Sequence, residues 1–338
     1  MAMSFQSIRN AFLVAVFLVL SAGAYAMKTF LDNPPPRSIS LPAGYQHAVW
    51  EWRGPTEQAR AVIPVLHAHG FKTVYLHMGT LIDLDETRLS EAKAQQEADF
   101  TGMTEAYINT AHDYGLAVEA VFGGPQWGRP SHRYLLAKSV ALIAAYNRAH
   151  AASAFAGVQF DIEPQQLAEF EAQKVAELTW YVEGVDGLLS SLDTIAPESL
   201  TWRLGFAIPY WFDGEGDYVP KVQLAGEEKY PFNHLMNRLN KRQHSYVAIM
   251  AYRNTPLGED GAIQHAQQEM TYAQTYAPRV RVLIAQETGE TNSAKVTYHG
   301  MRQGDFARAA LTICQAFEDA NVFGGIAAND VQSYLQLP

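Results

Sequence analysis

Phe155-Ala156-Gly157-Val158-Gln159-Phe160-Asp161-Ile162-Glu163-Pro164 is the stretch on which the reading of this chain turns. Side chains alternate along an extended strand, so Gly157, Gln159, Asp161 and Glu163 share one face and Val158, Phe160 and Ile162 share the other. The apolar face suits a layer of helices. The other face, with two acids at its exit, suits the inside of a closed barrel. Outward from it, seven more strand-like runs appear, at His47 to Arg53, Thr73 to Met78, Ala117 to Phe122, Thr201 to Ile208, Ser245 to Tyr252, Arg279 to Gln286 and Phe323 to Ala328. With Ala156 to Ile162 as the fourth, their starts lie about 40 residues apart, room for a strand, a helix and two loops. Helical patterns fall between them, at Thr56 to His69, Thr101 to Tyr114, His132 to His150, Leu167 to Ile195, Phe232 to Lys241, Ala262 to Tyr276 and Gln303 to Ala320. Gly70 and Gly115 stand where helices should stop.

Eight consecutive parallel units close most economically into a single-domain α/β fold, the (β/α)8 TIM barrel, which leaves no sheet edge exposed. An open doubly wound sheet is the competitor. It would carry a glycine-rich phosphate turn after the first strand, whereas this chain has Arg53-Gly54-Pro55-Thr56. The longest irregular stretches, roughly 79–98, 123–131, 209–230 and 288–301, all follow strands, at the end where barrel enzymes build their sites.

The 338 residues include 48% hydrophobic and 18% charged side chains, enough apolar material for a large core. The 25 Lys and Arg against 35 Asp and Glu leave a formal charge of −10, which argues against nucleic acid as a partner. The single cysteine, Cys314, cannot form an intrachain disulfide, and no Cys/His spacing suggests zinc. No cofactor or metal is implied. Residues 1–26 read as an export signal: Arg9, an apolar run from Ala11 to Leu20, and Ala24-Tyr25-Ala26 as the cleavage site. An uncleaved N-terminal anchor is the alternative, since residues 10–27 carry no charge. Either way the domain is expected outside the cytoplasm, periplasmic or secreted. Residues 27–45, with Asn33-Pro34-Pro35-Pro36-Arg37, read as a proline-rich spacer, and the barrel is expected over 46–338.

Two acids at i and i+2 near the carboxyl end of a barrel strand are costly as mere packing, because like charges held close raise one another's pKa. They suit acid chemistry, with Asp161 holding a protonated Glu163 in place as general acid. A buried pair tied up by an arginine or by backbone amides is the plainer alternative. The sixth strand exits at Met250-Ala251-Tyr252-Arg253, placing a phenol able to hydrogen-bond a reacting sugar, or simply a core tyrosine. The seventh exits at Gln286-Glu287-Thr288-Gly289, with Glu287 at the same rim or in a solvated loop. Trp50, Trp52, Trp127, Tyr210 and Trp211 lie at or just beyond strand ends, where flat rings can stack on pyranose faces. Glu51, His77, Gln126, Gln159, Asn329 and Asp330 are further candidate polar contacts, while Glu169 and Glu171 read as a solvated helix face.

The fourth-strand segment resembles the signature of chitinase-like (family 18-type) glycoside hydrolases: aromatic, Asp, Gly, apolar, Asp, apolar, Asp, any residue, Glu. Asp161 and Glu163 match the last aspartate and the catalytic glutamate, and Ala156 and Gln159 replace the first two acids. Met250-Ala251-Tyr252-Arg253 is similar to that family's Met-x-Tyr-Asp, with Arg253 in place of the aspartate. This resemblance implies that Glu163 protonates the leaving oxygen while a substrate 2-acetamido group attacks. A weaker resemblance is to cellulase-type retaining barrels, which implies Glu163 as acid/base on strand four and Glu287 as nucleophile on strand seven; Ile162 stands where that class has Asn.

The expectation is a glycosidase acting on a polysaccharide or amino-sugar polymer, with no nucleic acid and no membrane contact beyond the N-terminal anchor. The rival is a non-catalytic carbohydrate-binding barrel working in exopolysaccharide assembly. A hydrolase of amides or esters lacks support, since no Ser or Cys sits in a recognisable nucleophile turn.

Overall fold

Runs rich in Val, Ile, Phe and Tyr, each followed by a helical segment, form eight parallel strands in the computed structural model. It describes Leu41 and residues 45–87 and 90–338. The expected export signal therefore lies outside the described residues, as does the spacer except for Leu41 and Tyr45. The strands are β1 (Gln46–Glu51), β2 (Thr73–His77), β3 (Ala117–Phe122), β4 (Gly157–Asp161), β5 (Arg203–Pro209), β6 (Ser245–Met250), β7 (Arg281–Glu287) and β8 (Phe323–Asn329). Each pairs with its sequence neighbours. β8 closes on β1 from Gln46↔Gly325 to Val49↔Ala328, so the (β/α)8 barrel is complete. Every expected strand is present, its ends displaced by no more than two residues.

The helices depart further from expectation. The stretch over 79–98 is not irregular: a helix Gly79–Glu86 follows β2, and the next, Glu91–Asp113, is capped by the Ser90 hydroxyl accepting from Lys93 N. Its first half, Glu91 to Asp99, is mostly exposed and shows no apolar stripe, so the periodic signal begins only at Phe100. The helix expected over 56–69 is split into Glu57–Ala61 and Ile63–Ala68, with Pro64 in the first turn of the second piece. The 209–230 segment after β5 carries a short hairpin, Val222–Leu224 with Glu227–Lys229.

Alternation sorts the strand side chains into two cores. Outward-facing Val49, Val74, Val118, Val158, Phe160 and Phe206 pack with the helices. Inside the barrel, small residues such as Ala48, Ala207, Ala248 and Ala285 surround Trp50, Tyr75 and Tyr246. Gly205 is required there, since a Cβ would lie 2.1 Å from the Tyr246 ring.

A polar column runs along the barrel axis. At its base Arg203 Nη1 donates to Glu119 (3.0 Å) and to the Thr73 hydroxyl (3.1 Å). Above them the Tyr246 hydroxyl donates to Glu119 (2.7 Å), Gln159 Nε2 donates to Tyr246 Oη (3.0 Å), and Trp50 Nε1 donates to Gln159 Oε1 (2.6 Å). Burial raises the Glu119 pKa, and Arg203 and Tyr246 oppose that rise by stabilising the carboxylate. The column ends at Trp50, which is also a wall of the cavity above it.

Candidate active site

At the carboxyl ends of the strands lies a cavity of about 310 Å³ lined by Trp50, Trp52, Asp161, Glu163, Ala207, Met250, Tyr252, Glu287 and Asn329. The barrel geometry gathers them: strands about 40 residues apart in sequence end side by side, and β1, β4, β6, β7 and β8 each contribute the last inward-pointing side chain or the one just beyond it, while β5 contributes Ala207. Asp161 ends β4. Gly123, after β3, passes so close that a Cβ there would lie 1.8 Å from the Asp161 carbonyl oxygen.

Glu163 stands two residues on, at the mouth of a tight turn over Pro164–Gln166. That turn folds two amides back onto its carboxylate. Gln165 Nε2 donates to Oε2 (2.7 Å) and Gln166 Nε2 to Oε1 (2.6 Å). Glu287 ends β7, and its Oε1 accepts from the backbone N–H groups of Thr288 (2.8 Å) and Gly289 (2.6 Å). Its Oε2 accepts from Asn329 Nδ2 (2.7 Å), and Asn329 Oδ1 in turn accepts from Trp52 Nε1 (2.8 Å).

All three carboxyl groups titrate above the ordinary range, for different mixtures of reasons. Asp161 is raised by burial and then by the charge of Glu163, and its Oδ1 is buried without a hydrogen-bond partner. Glu163 is raised by burial and by Glu287, against the opposing amide of Gln165. Glu287 is raised by burial, with Gly289, Asn329 and Thr288 working against the rise and Asp330 adding to it. Tyr252 is held well above the ordinary phenol value by burial and by the charges of Glu287, Glu163 and Asp161. Burial and the mutual repulsion of these acids thus favour the protonated form among them, the direction that proton-transfer chemistry needs.

Of the sequence candidates, Asp161, Glu163, Tyr252, Glu287, Trp50, Trp52 and Asn329 are brought together here. The others are not cavity walls. Glu51 is buried in a two-pronged ion pair with Arg53, whose Nε lies 2.8 Å and Nη2 2.5 Å away. Gln159 is fully buried in the column below the cavity. His77 is half-buried beside Trp52, with ring centres 6.0 Å apart. Trp127 is buried in the outer core, and its neighbour Gln126 is half-buried. Tyr210 packs on His265 (4.3 Å) with Arg253 over its ring (5.4 Å), and Trp211 packs on Tyr218 (4.6 Å) and Phe212 (5.1 Å). Asp330 caps the short helix Val331–Leu335 through Ser333 N (2.9 Å). Glu169, half-buried, pairs with Arg129, and the exposed Glu171 pairs with Lys174.

The sequence reading missed Gln165 and Gln166. Their signal was present as two amides directly after Glu163-Pro164, where proline starts a turn that reverses the chain. Among the described residues, no group of three or more His, Cys, Asp and Glu side chains is arranged to hold a metal ion.

No protein-family model matches the chain, and no curated protein matches it in sequence. Its structure is similar to that of a GH18 chitinase from Pseudoalteromonas aurantia, with 15% identity, coverage of 86% of this chain and 97% of that one, and a TM-score of 0.53. It is also similar to a β-glucosidase from Thermotoga maritima in complex with galacto-hydroximolactam, with 9% identity, coverage of 86% and 89%, and a TM-score of 0.50. At these identities the likeness is one of fold: this is a TIM barrel of the kind on which those glycoside hydrolases are built.

Proposed function

We propose that this barrel is a glycosidase cleaving a polysaccharide or amino-sugar polymer, with Glu163 as general acid and base. One observation carries the reading: Asp161, Glu163 and Glu287 converge with Tyr252 on one cavity, and burial keeps all three acids above their ordinary range. A site built only to hold sugar has little use for protonated carboxyls, whereas glycoside cleavage needs one acid protonated and a second carboxylate ionised. In this reading Glu163 gives its proton to the leaving oxygen. Glu287, across the cavity, meets the positive charge that develops on the sugar ring, and the Tyr252 hydroxyl steadies that ring. Asp161 serves as the neighbour that keeps a proton close to Glu163. Trp52 is half-buried on the cavity wall and offers a flat surface to a pyranose. We also propose export directed by residues 1–26, which cell fractionation would test.

The test is hydrolysis of purified glycans, including N-acetylhexosamine polymers and neutral β-glucans, by the wild-type protein and by Glu163→Gln. A rate at least 100-fold lower in the variant on a polymer that the wild type cleaves supports the reading. Binding of a glycan by both proteins with cleavage by neither would replace it with a carbohydrate-binding barrel.

A further inference from the structure

The two glutamates of the cavity are each contacted by amides, and the polarity of those amides differs in what it allows. Asn329 bridges Trp52 and Glu287. An indole N–H can only donate, so the Asn329 oxygen must face Trp52 and its NH₂ must face Glu287. The remaining contacts of Glu287 come from the backbone N–H groups of Thr288 and Gly289, which also only donate. Every partner of Glu287 thus offers a hydrogen and none can accept one. A proton on either oxygen would face a donor.

Glu163 is contacted differently. Gln165 also donates to it, but the Gln165 Oε1 is buried with no hydrogen-bond partner. Turning that amide over loses no bond at its oxygen and would present an acceptor to a protonated Glu163. Gln166, the other donor, is exposed on the turn. The environment of Glu163 therefore serves it in both protonation states, and that of Glu287 in only one.

We propose that Trp52 and Asn329 form a positioning pair that locks Glu287 as the ionised carboxylate, while Gln165 is an amide switch that turns with the proton on Glu163. The assignment rests on the glycosidase reading for its role in turnover, and on the donor pattern alone for the protonation states. It also separates two jobs for neighbouring residues: Trp52 acts through its N–H as well as its ring, and Asn329 acts on Glu287 in addition to lining the cavity.

Three variants test it. Trp52→Phe keeps a ring and removes the N–H, freeing the Asn329 amide to turn its oxygen toward a protonated Glu287. Asn329→Asp keeps the shape and replaces the donor with a second acid. Gln165→Met keeps the length and removes the amide. The acid limb of the kcat/KM profile should move up by about one pH unit in Trp52→Phe and by more in Asn329→Asp, with Gln165→Met leaving that limb in place. Gln165→Met should move the basic limb by less than about half a pH unit, since a turning amide serves the ionised and the protonated Glu163 alike, and a clear upward shift would make Gln165 a fixed donor and refute the switch. A uniform fall in kcat with unmoved limbs in all three would reduce these residues to packing and overturn the proposal. Carboxyl titration of ¹³C-glutamate-labelled protein, with Glu287→Gln used to assign the signal, gives a readout independent of turnover. If the wild type cleaves no glycan, the glycosidase reading fails. The Glu287 signal shifting upward in Trp52→Phe still upholds the lock, and an unchanged signal refutes it.

Discussion

Replacing Arg203 with methionine keeps the aliphatic stem and removes the charge that neutralises Glu119 at the base of the barrel. The Glu119 side chain is fully buried, and its carboxylate keeps the Tyr246 hydroxyl at 2.7 Å after Arg203 Nη1 at 3.0 Å is lost. Breaking a buried ion pair by removing one partner costs about 3–5 kcal/mol. The Arg203 side chain is 34% exposed, so water already screens part of the pair, and the lower end, about 3 kcal/mol, is expected near pH 8. The cost should depend on pH. Burial already lifts Glu119 above the ordinary carboxylate value. Between the unfolded and folded values the native state holds a proton that the unfolded chain has released, so stability falls as pH rises through that window. Without Arg203 the window extends upward, and Glu119 can avoid an unpaired charge by staying protonated. Urea unfolding followed by tryptophan fluorescence at several pH values from 5 to 8 reads this directly. The gap between wild type and Arg203→Met should narrow toward pH 5, and adding Glu119→Gln should recover part of the loss at pH 8. A gap below about 1 kcal/mol that does not vary with pH would refute the argument, as would a double variant weaker than Arg203→Met alone.

His47 is buried against Phe71, ring centres 3.9 Å apart, and burial followed by the nearby His69 lowers its pKa from 6.5 to about 3. It stays neutral in the fold, so its contribution is intact above pH 6.5 and is lost as pH falls from there toward 3. The loss is on the order of 4 kcal/mol across that window, and His47→Phe should flatten the difference in unfolding midpoint between pH 6.5 and 4. Gly123→Ala should lower the melting temperature and abolish glycan hydrolysis together, because its Cβ would drive into the Asp161 carbonyl; full activity in that variant would mean the strand exits can separate without harm. Asp161→Asn removes the acid that shares a proton with Glu163, so the basic limb of kcat/KM should move to lower pH. A limb that stays in place would show that Asp161 titrates apart from the reaction.

The strands were legible because alternation and spacing are local properties: Val158, Phe160 and Ile162 announce an outer face whatever surrounds them. The helix beginning at Glu91 was not, since its first turns are solvated and carry no apolar stripe. In the site, Asp161, Glu163, Glu287 and Asn329 could be found because a side chain at or just past a barrel strand's end has few places to go but the central cavity. Tyr210, Trp211 and Trp127 show where that rule stops. They lie beyond strand ends on segments whose course is set by later contacts, His265 and Tyr218 among them, and those contacts turned the rings away from the cavity wall. Gln165 and Gln166 were overlooked for the converse reason. Their importance lies in a turn that brings neighbours in sequence back onto Glu163, and periodicity does not register it.

The polar column bears on how the barrel can be assembled. Trp50 reaches Gln159 across 109 residues, Gln159 reaches Tyr246 across 87, and Tyr246 reaches Glu119 across 127. A chain that ends before β6 would have Glu119 and Gln159 enclosed without the hydroxyl that joins them, so half-barrels gain little from closing early. The floor of the cavity is accordingly completed by residues far apart in the chain, and a fragment carrying Asp161 and Glu163 on its own would have the acids without the ground on which they stand.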